Sequence, residues 1–157
     1  MSLRPAQKPG RSKQDYGTPP EFLRAVEKRF GTIDFDLAAH ADNHVVDAYY
    51  GPDVDSLAQD WTQLRGNLWL NPTFSNAGTW AAKCKASTGE GRRILLLTPA
   101  AVSTAWFDRA VFGVARVFAI RPRLQFVGAK DPYPGDLILS VYDPDMPPAF
   151  CCWRWDR

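Results

Sequence analysis

Four consecutive residues, Asn71-Pro72-Thr73-Phe74, carry the side chains best suited to chemistry on a flat, amine-bearing ring. They follow the apolar run Leu68-Trp69-Leu70, which reads as a buried strand ending in a rigid turn. Asn71 can accept a hydrogen bond through its amide oxygen and Pro72 through its carbonyl, while Phe74 can stack on the ring. The exocyclic amine of a nucleobase is a poor nucleophile because its lone pair is delocalised. Two acceptors aimed at its N–H bonds favour a pyramidal nitrogen and stabilise the charge that develops during attack on an alkyl donor. A sulfonium donor carries its own leaving group, so such a transfer requires neither a covalent intermediate nor a metal. A strand ending in an Asn-Pro turn is also an ordinary connection, and the tetrapeptide needs support from the rest of the chain.

The elements that must position these residues follow from periodicity. Thr18 suits a helix N-cap, Pro19 its first turn, and Glu21 the far side of a capping box. Phe22, Val26 and Phe30 then recur every four residues, with Leu23 alongside, and Gly31 is the expected stop. Ile33, Phe35 and Leu37 alternate with Asp34 and Asp36, which predicts a strand. Residues 40–62 are polar and acidic, with a turn at Gly51-Pro52. Strands are expected at 67–70, 93–98, 115–120 and 137–142, helices near 75–87 and 103–112, and an aromatic edge strand at 150–155. Cys84 falls on the apolar face of the first of those helices, with Trp80 and Ala81, and Ser103 reads as the cap of the second. Strand-helix alternation predicts an α/β domain, with a mostly parallel sheet and helices on both faces. In such sheets ligands sit beyond the carboxyl ends of the strands. Asp36 and Asn71 both fall there, so one cleft can serve both. Only 35 positions separate them, which leaves little room for two full strand-helix units, so the fold is expected to be abbreviated.

Composition narrows the function. The chain of 157 residues is 45% hydrophobic, enough for one domain with a sizeable core. No stretch approaches the roughly 18 apolar residues of a membrane span. The first residues carry Arg4, Lys8, Arg11 and Lys13 without an apolar run, so no secretory signal is expected. Residues 1–14 read as a disordered basic arm and residues 15–157 as the domain. Three cysteines, two of them adjacent, make no disulfide framework, which points to a reducing, cytoplasmic setting. No cysteine sits where a nucleophile would, and Ser103 lacks a nucleophile elbow. His40 and His44 have helical spacing near Asp36 and Asp47, but no zinc signature surrounds them, and no metal is expected. The net charge of +2 hides a polarised chain. Residues 32–60 hold seven aspartates and no lysine or arginine, while Arg109, Arg116, Arg121, Arg123 and Lys130 gather downstream. An acidic segment repels phosphate and a basic one neutralises it. Solvated surface charge is the bland alternative.

The order of several short segments resembles the phage-type family of DNA adenine-N6 methyltransferases. They are Tyr16-Gly17-Thr18-Pro19, Asp36-Leu37-Ala38-Ala39 and Asn71-Pro72-Thr73-Phe74, followed by Ile94-Leu95-Leu96-Leu97-Thr98-Pro99-Ala100, Thr104-Ala105-Trp106-Phe107 and Arg123-Leu124-Gln125-Phe126. The resemblance runs over residues 16–143. It implies a Rossmann-like methyltransferase fold, S-adenosylmethionine as methyl donor and DNA as substrate. It places Asn71, Pro72 and Phe74 at the reacting base. Tyr16, Thr18, Pro19, Asp36, Ala38, Asp55 and Leu57 would contribute to the cofactor pocket, where a carboxylate can bind ribose hydroxyls or the methionine ammonium. Asp55 reads equally well as a turn residue. The acidic segment then belongs to the cofactor, and Arg121, Arg123 and Lys130 to DNA. The target base must leave the duplex to reach residues 71–74. The chain is short for a separate target-recognition domain, so recognition is expected to be loop-borne or assisted by a homodimer partner. Two positions depart from the family pattern. Thr73 stands where a second proline is usual, and Pro122 where a glycine usually precedes the arginine. The missing proline would have stiffened the loop, but it contributes no acceptor atom. A catalytically silent, methyltransferase-derived protein that binds DNA or nucleotide is the alternative from another class. A cytosine-N4 or RNA methyltransferase is a third reading.

Overall fold

Side-chain alternation along the central strands divides the interior into two layers. A computed structural model describes residues 17–157; Tyr16 and the basic arm lie outside them. β2 (Gly66–Leu70) and β3 (Arg92–Pro99) are parallel neighbours. Leu68, Leu70, Ile94 and Leu96 face one way and pack with Trp80, Ala81 and Cys84 of α2 (Ala77–Ser87) and Phe107 and Ala110 of α3 (Ala105–Ala110). Trp69, Leu95 and Leu97 face the other way, against Phe22, Val26 and Phe30 of α1 (Pro20–Phe30). Helices therefore cover both faces, which is what near-continuous apolar strands require.

α1 shows how local sequence sets an element and where it misleads. The four-residue spacing of Phe22, Val26 and Phe30 buries one face, and Gly31 ends the helix at φ 99°, its N–H donating to the Glu27 carbonyl. Glu27 Oε1 also accepts from Ile33 N at 3.1 Å, tying helix end to strand start. The expected capping box at Thr18 does not form. The cap position is Pro19, in extended geometry with no side-chain cap bond, because a residue preceding proline is pushed out of the helical region and Pro20 follows. Thr18 is left free for another task. A similar shift occurs at α3, whose cap is Thr104, not Ser103: its hydroxyl accepts from Phe107 N at 3.4 Å.

The sheet order is β1-β2-β3-β5-β4-β6, with β1 at Ile33–Asp36, β4 at Arg116–Arg121, β5 at Leu137–Tyr142 and β6 at Ala149–Arg154. β1–β2, β2–β3 and β4–β6 pair parallel, while β5 runs antiparallel to both β3 and β4. The reversal has a simple cause. Residues 122–136 contain no helix to carry a parallel crossover, so the chain turns back beside β4. The result puts the carboxyl ends of β1, β2, β3, β4 and β6, and the start of β5, along one edge of the sheet. β6 is the expected aromatic edge strand, displaced one residue from 150–155.

β1 departs from simple alternation. Its register shifts between Ile33 and Phe35, so Ile33 packs on the α1 side and Phe35 on the opposite side. Asp34 stays exposed and accepts from Asn67 N at 2.8 Å. Gly66, at φ 88°, is required there, because a Cβ would run into the Asp34 carboxylate. Asp36, by contrast, is buried. Beyond β1 the sheet shrinks to a bridge between Asp36 and Tyr49. The connection to β2 otherwise holds only two 3-10 turns, Ser56–Ala58 and Trp61–Gln63. The connection between β1 and β2 therefore carries no α-helix.

Candidate active site

Asp36 and Asn71 end adjacent parallel strands. Asp36 pairs with Trp69 in register, and Asn71 follows the last residue of β2. The Asp36 carboxylate is 2% exposed. Its Oδ1 accepts from Ala38 N at 3.2 Å and its Oδ2 from Val45 N at 3.1 Å, so it folds its own loop back over the strand end. Burial pushes its pKa above the ordinary carboxylate value; the Val45 and Ala38 bonds and the nearby His44 pull partly the other way. Its backbone is held from the far side, by Asp36 N to Ala48 O at 3.0 Å and Tyr50 N to Asp36 O at 2.9 Å.

Asn71 is held differently. Its Nδ2 donates to Thr18 Oγ1 at 3.0 Å, which leaves Oδ1 as the amide's acceptor. Thr18 itself is clamped. Gly17 pairs with Val127, whose N–H donates to the Gly17 carbonyl at 2.9 Å, and α1 begins two residues later. Thr18, Asp36, Ala38, Asn43, Val45 and Asn71 line a shallow open cleft above Trp69 with a cavity volume of about 10 Å³. That is room for about one water molecule, far below the roughly 300–1,000 Å³ usual for small-molecule sites.

The rest of the tetrapeptide is equally placed. Pro72 is buried. Thr73 sits at φ −59° and ψ 123°, inside the range a proline imposes, so the backbone there is proline-compatible without the ring. Phe74 opens a 3-10 turn, Phe74–Asn76, that leads into α2. Its ring meets Phe126 and Tyr133 edge to face, at 6.2 and 5.5 Å between centroids, and those two meet each other at 6.1 Å. Both partners come from the segment after β4, which folds on itself through Tyr133 N to Leu124 O at 2.7 Å. Arg121, Arg123 and Lys130 are exposed on or beside this segment, at the same sheet edge as the cleft. Arg123 makes a 3.6 Å ion pair with Asp136.

The structure thus brings together Thr18, Asp36, Ala38 and Asn71, with Pro72 and Phe74 adjoining. Pro19 is buried beside them and begins α1 by accepting from Phe22 N and Leu23 N at 3.1 Å each. Asp55 and Leu57 do not line the cleft. Asp55 is exposed and caps the first 3-10 turn through Leu57 N at 3.2 Å, and Leu57 packs on the core beside Trp61. Asn43, Val45, Phe126 and Tyr133 were not singled out by spacing. Only Phe126 carried a signal, as part of Arg123-Leu124-Gln125-Phe126. His44 stacks on Tyr49 at 4.4 Å and 6°, with Nδ1 2.9 Å from the Val46 carbonyl. Among the described residues no three His, Cys, Asp or Glu side chains are grouped to hold a metal. Cys84 is fully buried in the core, which pushes its thiol pKa up, away from the thiolate a nucleophile needs.

The family model of DNA N-6-adenine-methyltransferase (Dam) matches residues 6–135, a span that contains the whole cleft and its aromatic rim. The chain belongs to the Dam family. A DNA N-6-adenine-methyltransferase of Escherichia phage T1 is 31% identical over 109 residues, 69% of this chain and 45% of that protein. The chain therefore spans less than half the length of that relative. The last residue of the segment between β4 and β5, and both β5 and β6, lie beyond the matched span of the Dam family. Among the described residues no helix is long and apolar enough to cross a membrane.

Proposed function

We propose that this chain transfers a methyl group from S-adenosylmethionine to N6 of adenine in DNA, on an abbreviated Rossmann-like methyltransferase fold. The observation that carries the reading is Asn71, which follows a buried strand, bonds Thr18 through its amide and lines the cleft beside Asp36. The residues present suit the donor. Asp36 ends the neighbouring strand with a carboxylate on the cleft floor. Each of its oxygens accepts one protein N–H, and a carboxylate has about four lone-pair sites, so capacity remains for ribose hydroxyls or an ammonium. S-adenosylmethionine supplies an electrophilic methyl group with its own leaving group. The protein's task is positional. Asn71 Oδ1 and the Pro72 carbonyl accept the two N6 hydrogens, Phe74 stacks on a base turned out of the duplex, and N6 releases one proton to solvent after the new N–C bond forms. Thr73 supports activity over the silent-binder reading, because its backbone already holds the proline-like geometry. Arg121, Arg123 and Lys130 would neutralise backbone phosphates beside the cleft, and the protein would work in the host cytoplasm.

The test is incubation of unmethylated DNA with labelled S-adenosylmethionine in the presence of a chelator, followed by nucleoside analysis. N6-methyldeoxyadenosine is expected. N4-methyldeoxycytidine, no product from folded protein, or transfer only to RNA in a parallel reaction would overturn the reading. In the same system, log affinity for DNA should fall with log salt, and Arg123→Ala should reduce that slope by about 0.9 if one phosphate contact is lost.

A further inference from the structure

We infer that residues 40–47 form a strap closed over the cofactor cleft, and that S-adenosylmethionine binds only once the strap has swung off Asp36. This rests on the cofactor reading of the cleft and adds how the ligand gains access to it.

The cleft has suitable groups and too little room. Its cavity of about 10 Å³ admits a water, while a nucleoside bearing a sulfonium amino acid needs a pocket in the usual range of roughly 300–1,000 Å³. One wall therefore has to move. Most of the walls are fixed. Asp36 ends β1 and Asn71 follows β2, strands that pair in the sheet, and Trp69 belongs to β2 itself. Thr18 is held between the Gly17–Val127 bridge and the start of α1. The remaining wall is Asn43 and Val45. Both lie in residues 40–47, a stretch without helix or strand.

That stretch is built to swing as a unit. Its neck is pinned: Ala39 N donates to Tyr50 O at 3.0 Å, Asp36 N to Ala48 O at 3.0 Å and Tyr50 N to Asp36 O at 2.9 Å. Between those ties the chain makes a compact loop with close ends, folded on itself by Asn43 N to His40 O at 3.1 Å and His40 N to Asn43 Oδ1 at 3.4 Å. Its tip is held down in three ways. Val45 N donates to Asp36 Oδ2 at 3.1 Å. Val45 and Val46 pack half-buried on the α1 side of the core. His44 stacks on Tyr49 of the neck at 4.4 Å. The first of these ties carries the inference. Val45 spends its N–H on a carboxylate oxygen that a ribose hydroxyl or an ammonium would use, so strap and ligand compete for one group. Swinging the tip outward frees that oxygen and takes Asn43 and Val45 out of the cleft in the same movement. A ligand that binds the open form has its apparent affinity reduced by the fraction of molecules that are open, so loosening the tip should tighten binding.

The experiment uses S-adenosylhomocysteine, which binds without reacting, and compares wild type with Val46→Ala and Tyr49→Ala. Both substitutions loosen the tip, and neither residue lines the cleft. Affinity is measured by calorimetry, and amide hydrogen exchange at Val45, Ala39 and Tyr50 by NMR. Each variant should bind the nucleoside about 2- to 10-fold more tightly than wild type, the worth of one aromatic or small apolar contact passed into the open fraction. In wild type the nucleoside should speed exchange at Val45 and leave the neck amides of Ala39 and Tyr50 protected. Wild-type or weaker affinity in both variants would overturn the inference. So would a bound state in which Val45 is as protected as in the free protein; that result would leave the cofactor reading intact and sink the strap alone. If the nucleoside binds none of the three proteins, the cofactor reading itself falls, and opening by that ligand falls with it.

Discussion

Asp36 and Asn71 occupy equivalent places at the ends of adjacent parallel strands, yet the structure uses them in opposite ways. Asp36 spends its side chain locally. Its two oxygens bind backbone N–H groups two and nine residues downstream, and the carboxylate shapes the loop that closes over it. Asn71 bonds Thr18, 53 positions upstream, and lines the cleft. The first arrangement shapes a loop from within; the second ties a strand end to a distant helix start. The difference teaches that a polar group at a strand end is read by what already occupies its lone pairs, not by its type or place alone.

The sharpest way to break this comparison is Asn71→Ala. Removing the preorganised acceptor should lower single-turnover methyl transfer by about 10²–10³, with cofactor affinity nearly intact. Equal transfer by both proteins would mean that Asn71 is structural and not catalytic. Phe74→Ala probes the same loop one step further from the reacting atom. Loss of stacking should weaken capture of the flipped base by about 1–3 kcal/mol, read as weaker binding to DNA carrying a mismatched target adenine. An unchanged affinity would show that the Phe74 ring serves packing, as in its contacts with Phe126 and Tyr133, and not the base.

Asp36→Asn tests the other side. One of the Ala38 and Val45 N–H groups should lose its acceptor, at a cost of about 1–3 kcal/mol in stability. The pH dependence has a definite sign. Burial raises the Asp36 pKa above 3.8, so the folded protein holds the proton more tightly than the unfolded chain. That contribution is full below 3.8 and is lost as pH rises through the folded-state pKa. Denaturant midpoints on either side of 3.8 should therefore show wild type losing its advantage over Asp36→Asn as pH rises. An advantage that grows with pH would mean that the ionised form is the one the fold prefers. The smallest effect belongs to Thr73→Pro. The native φ already suits proline, and the substitution should stabilise by about 0.4–1 kcal/mol through the unfolded state with activity kept or raised. A loss of stability would show that the Thr73 backbone or side chain does something a proline cannot.

Much of this molecule was legible without coordinates. The periods of α1, β2, β3 and β5 are strong because burial repeats with the geometry of the element, and the turn at Gly51-Pro52 follows from backbone chemistry. Asn71, Pro72, Phe74 and Asp36 stood out because an unusual set of groups follows an apolar run. Asp55 and Leu57 were placed with the cofactor by resemblance, yet local hydrogen bonding turns Asp55 into a cap.

By itself the sequence determined which residues are apolar at which interval, where helices and strands run, and which strand ends carry polar groups. These depend on neighbours within a few positions. Tertiary structure alone decided the reversal of β5, the shift in β1 that buries Asp36, the aromatic trio of Phe74, Phe126 and Tyr133, and the hydroxyl of Thr18 against the amide of Asn71. Each of these joins groups far apart in the chain. Which partner a polar atom or a ring finds there depends on how whole elements pack, and no local pattern records it.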